Sequence, residues 1–200
     1  MNLTDLTILD ISQELFSCVV YPGDPEPRKT RLLSTAKGDV CNLTELSLCA
    51  HNGTHVDAPF HFLGDGKTID QLPLDAFVGA AYVARRSGDL TAADAEEILR
   101  RAAEAGAGER ILIAGPAVVT AEAARVFAAA RIRLVGNESQ TVGPEDAPAE
   151  VHRILLGAEI VLLEGIRLAM AEEGAYLLCA APINLGGCDG APCRALLICG

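Results

Sequence analysis

The sequence has no run of lysine and arginine, and its charge is one-sided: 16 basic residues against 27 acidic ones leave a formal net charge of -11. That balance excludes nucleic acid and anionic membrane surfaces as partners held through a basic patch. No apolar stretch reaches the ~18 uninterrupted residues that span a bilayer, so no membrane segment is expected. The opening MNLTDLTILDISQELF has acidic residues early and no basic region before an apolar core, so it does not read as a signal peptide. Tryptophan is absent. So are internal repeats, low-complexity tracts and any Gly/Ser-rich linker that would separate domains. The cysteines (Cys18, Cys41, Cys49, Cys179, Cys188, Cys193, Cys199) are odd in number and form no C-x-x-C pair. They read as small apolar residues among Ala, Leu and Ile, reduced in a cytoplasmic protein. Cys188 and Cys193 in CDGAPC lack the second pair that a zinc knuckle needs.

What is present suits one domain spanning 1–200, since a chain of 200 residues with a 50% hydrophobic fraction can bury a sizeable core. LFSCVV reads as a short strand, and YPGDPEP, with three prolines in seven residues, as an irregular loop. VCNLTELSLCA reads as a strand leading to His51, and AFVGAAYVARR as another. LTAADAEEILRRAAEAG predicts a helix capped by Thr91 with Asp94 three residues on, stopped at Gly106. Its Glu96, Glu97, Arg100, Arg101 and Glu104 form a solvated face. Beyond it the chain alternates: strand RILIAG, helix TAEAARVFAAA, strand RIRLVG, helix PAEVHRILLGA, strand EIVLLEGI, then strands YLLCAAPI and RALLIC. That order predicts a mixed α/β domain.

Three of the four histidines lie within HNGTHVDAPFHF, residues 51–62. His51, His55, Asp57 and His61 would share one face of an extended chain, but a straight strand at about 3.3 Å per residue would spread them over roughly 30 Å. A helix would bring His51 to His55 and swing Asp57 and His61 away. The segment must therefore bend, and Gly53 and Pro59 supply the bends. Imidazoles with a carboxylate and no thiolate suit zinc, manganese or iron(II). The fourth histidine, His152, falls in a helix, and Glu164 closes an apolar strand twelve residues later. Each alone reads as an ordinary capping or outward-turned residue, but together they can complete a one-metal or two-metal site. Asp65 and Asp70 in GDGKTID lack the closing Glu of a calcium loop and read as a solvated turn. Glu138 lies just past a strand end.

HNGTHVDAPFHF resembles the H-x-G-T-H-x-D-x-P-x-H-F signature of the cyclase family of metal-dependent hydrolases, whose best-known enzyme is bacterial kynurenine formamidase. YPGDP is similar to that family's aromatic-P-G-D-P loop and HRILLGAEIVLLEG to its second ligand segment, and the likeness runs from DIS to APCRALLI. The resemblance implies an α/β fold with a central barrel-like sheet and assembly as a homodimer or homotetramer. It also implies one or two divalent ions, zinc or manganese. His51 and His55 would hold one metal, Asp57 and Glu164 would bridge, His152 would hold the second, and His61 would remain free as acid/base. Tyr21 and Gln140 would contact the substrate. A metal-bound water with a lowered pKa would attack the carbonyl, and His61 would hand a proton to the leaving group.

The activity so implied is hydrolysis of an amide, most concretely an N-formyl aromatic amine such as N-formylkynurenine. A cyclic amide or lactone, as in isatin hydrolases, is the alternative within the family, and a non-catalytic metal-binding protein the alternative outside it. An unligated histidine beside the ion favours catalysis, because storage needs no proton carrier. Two departures bear on the substrate: the family's formamidases carry Trp in the aromatic-P-G loop, and an Asp with a Pro-Ser pair where this chain reads NESQTVGPED.

Overall fold

Residues 5–200 are described by a computed structural model; the first four residues of the N-terminal segment, where no signal peptide is expected, lie outside them. The strands are β1 (Thr7–Asp10), β2 (Arg28–Leu33), β3 (Leu43–Ser47), β4 (His55–Asp57), β5 (Val78–Arg85), β6 (Gly88–Leu90) and β7 (Arg110–Ala114), followed by β8 (Ala117–Val119), β9 (Leu134–Asn137), β10 (Val161–Glu164), β11 (Gly174–Cys179), β12 (Gly190–Pro192) and β13 (Leu196–Cys199). Three helices accompany them: α1 (Ala92–Glu104), α2 (Ala121–Ala130) and α3 (Ala149–Gly157).

Nine strands form one sheet in the order β1-β13-β11-β5-β7-β9-β10-β4-β12, curled into a half-barrel. Its middle, β5-β7-β9-β10, is parallel, and antiparallel strands flank it on both sides. Parallel strands need both faces covered, and these strands are apolar on both. In β7, Ile111 and Ile113 point one way and Leu112 the other, all fully buried. The Ile111 face meets Ala95, Ile98 and Phe127 of α1 and α2 and Leu155 of α3. The Leu112 face meets Val56, Val83, Leu163 and Leu197 inside the curl. Two cores, one per face, thus clamp the parallel strands.

Local chemistry sets the helix ends. Thr91 Oγ1 accepts the Asp94 N–H at 3.2 Å and the Asp94 carboxylate accepts the Thr91 N–H at 2.9 Å, a reciprocal cap. Gly106 takes a left-handed φ of 69° just past the end. β2 and β3 make a separate two-stranded sheet whose residues are almost all exposed, with Leu32, Leu43 and Leu46 open to solvent, as is Val40 in the connection between the strands.

The mixed α/β reading and the strands and helices of the second half stand as expected, with ends shifted by a few residues. LFSCVV does not form a strand: Leu15–Ser17 is a single 3-10 turn and Cys18–Val20 are irregular. Apolar content misled there, because the residues pack as a turn against the Gly53 region, where Leu15 Cδ1 would lie 3.4 Å from any added Cβ. Among the described residues no helix is long and apolar enough to cross a membrane.

Gly165, directly after β10, shows how tightly the chain closes beside Glu164. It has φ 66°, and a Cβ would stand 2.6 Å from the Gly53 carbonyl oxygen. Gly165→Ala should lower stability by roughly 1–2 kcal/mol from the backbone conformation alone, and by more from the contact. Gly157→Ala, at a position with nothing within 4 Å of the new Cβ, should be neutral or gain up to about 1 kcal/mol. Thermal unfolding of both variants checks this; equal melting temperatures would show that the Gly165 turn is not under constraint.

Candidate metal centre

The bends expected in HNGTHVDAPFHF fall at the two residues named for them. Gly53 adopts φ 67°, residues 55–57 form β4, and Pro59 opens a 3-10 turn, Pro59–His61. β4 sits between β10 and β12. Its register sets His55 opposite Glu164 and Asp57 opposite Gly190, so His55, Asp57 and Glu164 share the face turned toward α3. From α3, His152 reaches the same point.

The result is a knot of imidazoles and carboxylates at the carboxyl ends of the parallel strands. His51 Nδ1 lies 2.8 Å from Asp57 Oδ1, and His55 Nε2 lies 3.3 Å from the same oxygen and 3.4 Å from Glu164 Oε2. His152 Nε2 lies 3.2 Å from Glu164 Oε1 and 3.5 Å from Asp57 Oδ2. Ligand atoms of His55, Asp57 and Glu164 fall within 4.8 Å of one another, and so do those of His51, Asp57 and His61. Asp57 belongs to both sets. This grouping cuts across the one that the resemblance implies, which pairs His51 with His55 and leaves His61 apart.

Partners behind the ligands fix their orientation. His55 Nδ1 faces the Gly53 carbonyl at 3.0 Å and His152 Nδ1 the Pro148 carbonyl at 2.9 Å. Carbonyls only accept, so both rings carry their proton on Nδ1 and turn Nε2 toward the carboxylates, the usual arrangement behind a metal ligand. The Val142 N–H donates to Glu164 Oε1 at 2.6 Å. Asp57 Oδ2 is buried without a hydrogen-bond partner among the described residues. A buried, unpartnered carboxylate oxygen ringed by imidazoles is what a cation would satisfy, and the donor set, free of thiolates, fits a divalent ion.

The electrostatics agree. Burial alone would lower the pKa of His152, but the Asp57 and Glu164 carboxylates outweigh it and raise it to about 10. Burial likewise opposes the charged form of His55, and the same two carboxylates drive its pKa well above the usual value. Burial disfavours the Asp57 carboxylate, yet the His152, His51 and His55 imidazoles around it hold its pKa well below the ordinary range. His61 goes the other way: burial lowers it, against the opposing pull of Asp57 and Asp189. Its side chain is 28% exposed, the most open of the four histidines.

His61, Tyr21 and Gln140 all line a cavity of about 240 Å³ with His51, His55, His152 and Glu164. Tyr21 is anchored by its hydroxyl, which donates to the Glu145 carbonyl at 2.8 Å, and Asn52 Nδ2 ties the loop to the cluster through the Pro25 carbonyl at 3.1 Å. Glu138 does not reach the site: its carboxylate accepts the Gly115 and Leu168 N–H groups at 2.7 and 2.9 Å. Asp189 is not conspicuous in the sequence, yet its Oδ2 lies 2.9 Å from His51 Nε2 and 3.3 Å from His61 Nδ1. It stands inside CDGAPC, a run that draws attention for its cysteines; the signal for Asp189 is its place beside Gly190, and that needs the β12–β4 register to be read.

Raised imidazole pKa values mean that protons hold the ligand nitrogens of the metal-free chain at pH 7, and a metal must displace them. Zinc binding at pH 7 should therefore release protons, and apparent affinity should keep rising as pH increases above 7, beyond the range where an ordinary histidine has finished titrating. Calorimetry in buffers of different ionisation enthalpy measures the release. An enthalpy independent of buffer would contradict protonated ligand nitrogens in the metal-free chain.

The family model described as "Putative cyclase" matches residues 9–144. The "Kynurenine formamidase" of Salinibacter ruber is 33% identical over 206 residues, covering 96% of this chain and 97% of that one. A solved structure described as a "Potential Metal-Dependent Hydrolase With Cyclase Activity" superposes with a TM-score of 0.82 at 26% identity, covering 97% of this chain and 98% of that chain. Isatin hydrolase A from Labrenzia aggregata shares the fold, with a TM-score of 0.81 at 23% identity over 96% of this chain and 93% of that chain. With its signature histidines gathered around β4 and its curled sheet superposing over nearly its whole length, the chain belongs to the cyclase family.

Proposed function

We propose that this protein hydrolyses the N-formyl amide of an aromatic amine, with N-formylkynurenine as the first candidate, using a divalent ion, zinc in the first instance, held by His51, His55, Asp57, His152 and Glu164. The observation that carries the reading is His61, the most open histidine, facing the cavity beside a ligand set whose other histidines are engaged or buried. Membership of a family with a formamidase relative supports a hydrolase of a C–N bond outside peptides.

Bound there, a divalent ion supplies Lewis acidity and lowers the pKa of water. The chain's residues do the rest. Water adds to the formyl carbon, the C–N bond breaks, and formate and the free arylamine leave. His61 takes the proton from the attacking water and returns it to the amine nitrogen. A neutral imidazole is needed for the first half of that cycle, and the burial that lowers the His61 pKa keeps it neutral at pH 7. Phe62 and Tyr21 give the cavity aromatic walls. Gln140 Nε2, buried and without a hydrogen-bond partner among the described residues, offers a donor to a substrate oxygen.

Self-association, the expected homodimer or homotetramer, has a natural place in the β2–β3 hairpin. Two-stranded sheets are marginal alone, and this one leaves Leu32, Leu43 and Leu46 about half exposed. A second copy of the chain would cover them. Leu43→Asp with Leu46→Asp should reduce the mass in solution, as light scattering would report; an unchanged mass would place the interface elsewhere.

Metal-stripped protein reloaded with zinc or manganese should release amine from N-formylkynurenine, and the stripped protein should not. His61→Ala should keep the metal and lose about 10²–10⁴-fold in kcat, whereas Asp57→Ala should lose both. Turnover unaffected by His61→Ala would remove the acid/base role. No turnover with stoichiometric metal bound would shift the substrate to a cyclic amide or lactone.

A further inference from the structure

We infer that Asp189 is a positioning residue that assigns opposite tautomers to two histidines of the site, holding the proton on Nε2 of His51 and on Nδ1 of His61. A single oxygen, Oδ2, faces both rings, at 2.9 Å and 3.3 Å, and the rings lie against each other with centroids 4.0 Å apart and planes 32° from parallel. An ionised carboxylate only accepts, so each nitrogen facing it must carry hydrogen. His51 Nδ1 faces the Asp57 carboxylate in the same way, with Oδ1 2.8 Å away, so both nitrogens carry hydrogen while no ion is bound; a divalent ion would displace the Nδ1 proton, and the bond to Asp189 would keep the one on Nε2. The His61 proton on Nδ1 leaves the Nε2 lone pair free to act as base.

The other two histidines are set differently. Backbone carbonyls hold His55 and His152 with hydrogen on Nδ1, so both present Nε2. His51 alone is turned to ligate through Nδ1, and Asp189 is the group that makes it so. Carboxylate, imidazole and ion in line is a common support for a metal ligand. In this site the same carboxylate also serves the acid/base histidine, so ligand geometry and proton transfer depend on one side chain.

The backbone around Asp189 is fastened for this task. The Asp189 carbonyl accepts the Ala58 N–H at 2.9 Å, the Cys188 carbonyl accepts the Ile69 N–H at 2.9 Å, and the Gly187 N–H donates to Asp70 Oδ1 at 2.9 Å. These three bonds join residues 187–189 to the 58–70 segment that carries His61. Gly190 completes the fit, since a Cβ there would lie 2.8 Å from His51 Cε1. The Asp189 side chain itself is 41% exposed, so its removal leaves the cores untouched.

The tautomers can be read without turnover, by long-range ¹H–¹⁵N correlation of the imidazoles in zinc-loaded protein, where four histidines give a simple spectrum. The wild type should show His51 metallated at Nδ1 and His61 protonated at Nδ1. In Asp189→Ala, His61 should lose that single tautomer and zinc affinity should fall about 10–100-fold, with kcat for the formyl arylamine reduced more than KM is raised. Asp189→Asn, isosteric and still able to accept one bond, should recover part of the affinity. Unchanged tautomers and unchanged zinc affinity in Asp189→Ala would overturn the assignment, as would His51 metallated at Nε2 in the wild type. The kinetic arm alone rests on the formamidase reading: altered tautomers and affinity with no turnover by the wild type would sustain Asp189's role and reject that substrate.

Discussion

The carboxylates of Asp57 and Glu164 are buried side by side with only imidazoles between them. Taking even one such charge out of water costs several kcal/mol unless it is compensated, and two like charges so close compound the cost. Protonated histidines supply the compensation when no ion is bound, and a divalent ion supplies it better, because it also satisfies the orphaned Asp57 Oδ2. The rest of the site follows from that constraint: rings anchored from behind by Gly53 and Pro148, a backbone amide from Val142 on Glu164, and a helix pressed close enough to deliver His152.

The fold meets the constraint by distributing the ligands over elements that cannot move independently. β4 and β10 are register-locked neighbours, α3 is bound into the core beneath them through Val151, Leu155 and Leu156, and Gly165 presses against Gly53. No single loop holds the site. A core of buried aliphatic side chains lies on each face of the sheet, so the strand ends that carry Asp57 and Glu164 are supported from both sides.

Much of this was legible in the sequence for specific reasons. The His51–His61 run is contiguous, and the conflict between its spacing and any regular element forced the bends that Gly53 and Pro59 provide. α1 announced itself by its Thr91 cap with Asp94 and its stop at Gly106, and β7 and β10 by unbroken apolar character. What escaped was whatever depends on contacts far along the chain. Leu15–Ser17 is apolar enough for a strand, yet no neighbouring strand offers it a ladder. Asp189 is an ordinary acidic residue until the pairing of Gly190 with Asp57 brings it to His51. Glu138 looked available beside a strand end, but two distant backbone amides had already claimed it.

Tyr21 and Gln140 come from irregular segments, 21–27 and 138–148, that border the cavity without belonging to the ladders or to the ligand set. The Tyr21 hydroxyl on the Glu145 carbonyl joins the two loops, and their ties to the ligands run through backbone groups: the Val142 N–H on Glu164, the Pro148 carbonyl at His152 and the Pro25 carbonyl on Asn52. Substitutions of the Tyr21 and Gln140 side chains would reshape the walls while leaving those backbone supports in place. Such a division lets a lineage exchange one acyl compound for another without rebuilding its chemistry, and it makes the departures of this chain at YPGDP and NESQTVGPED the natural place for a private substrate preference to have arisen.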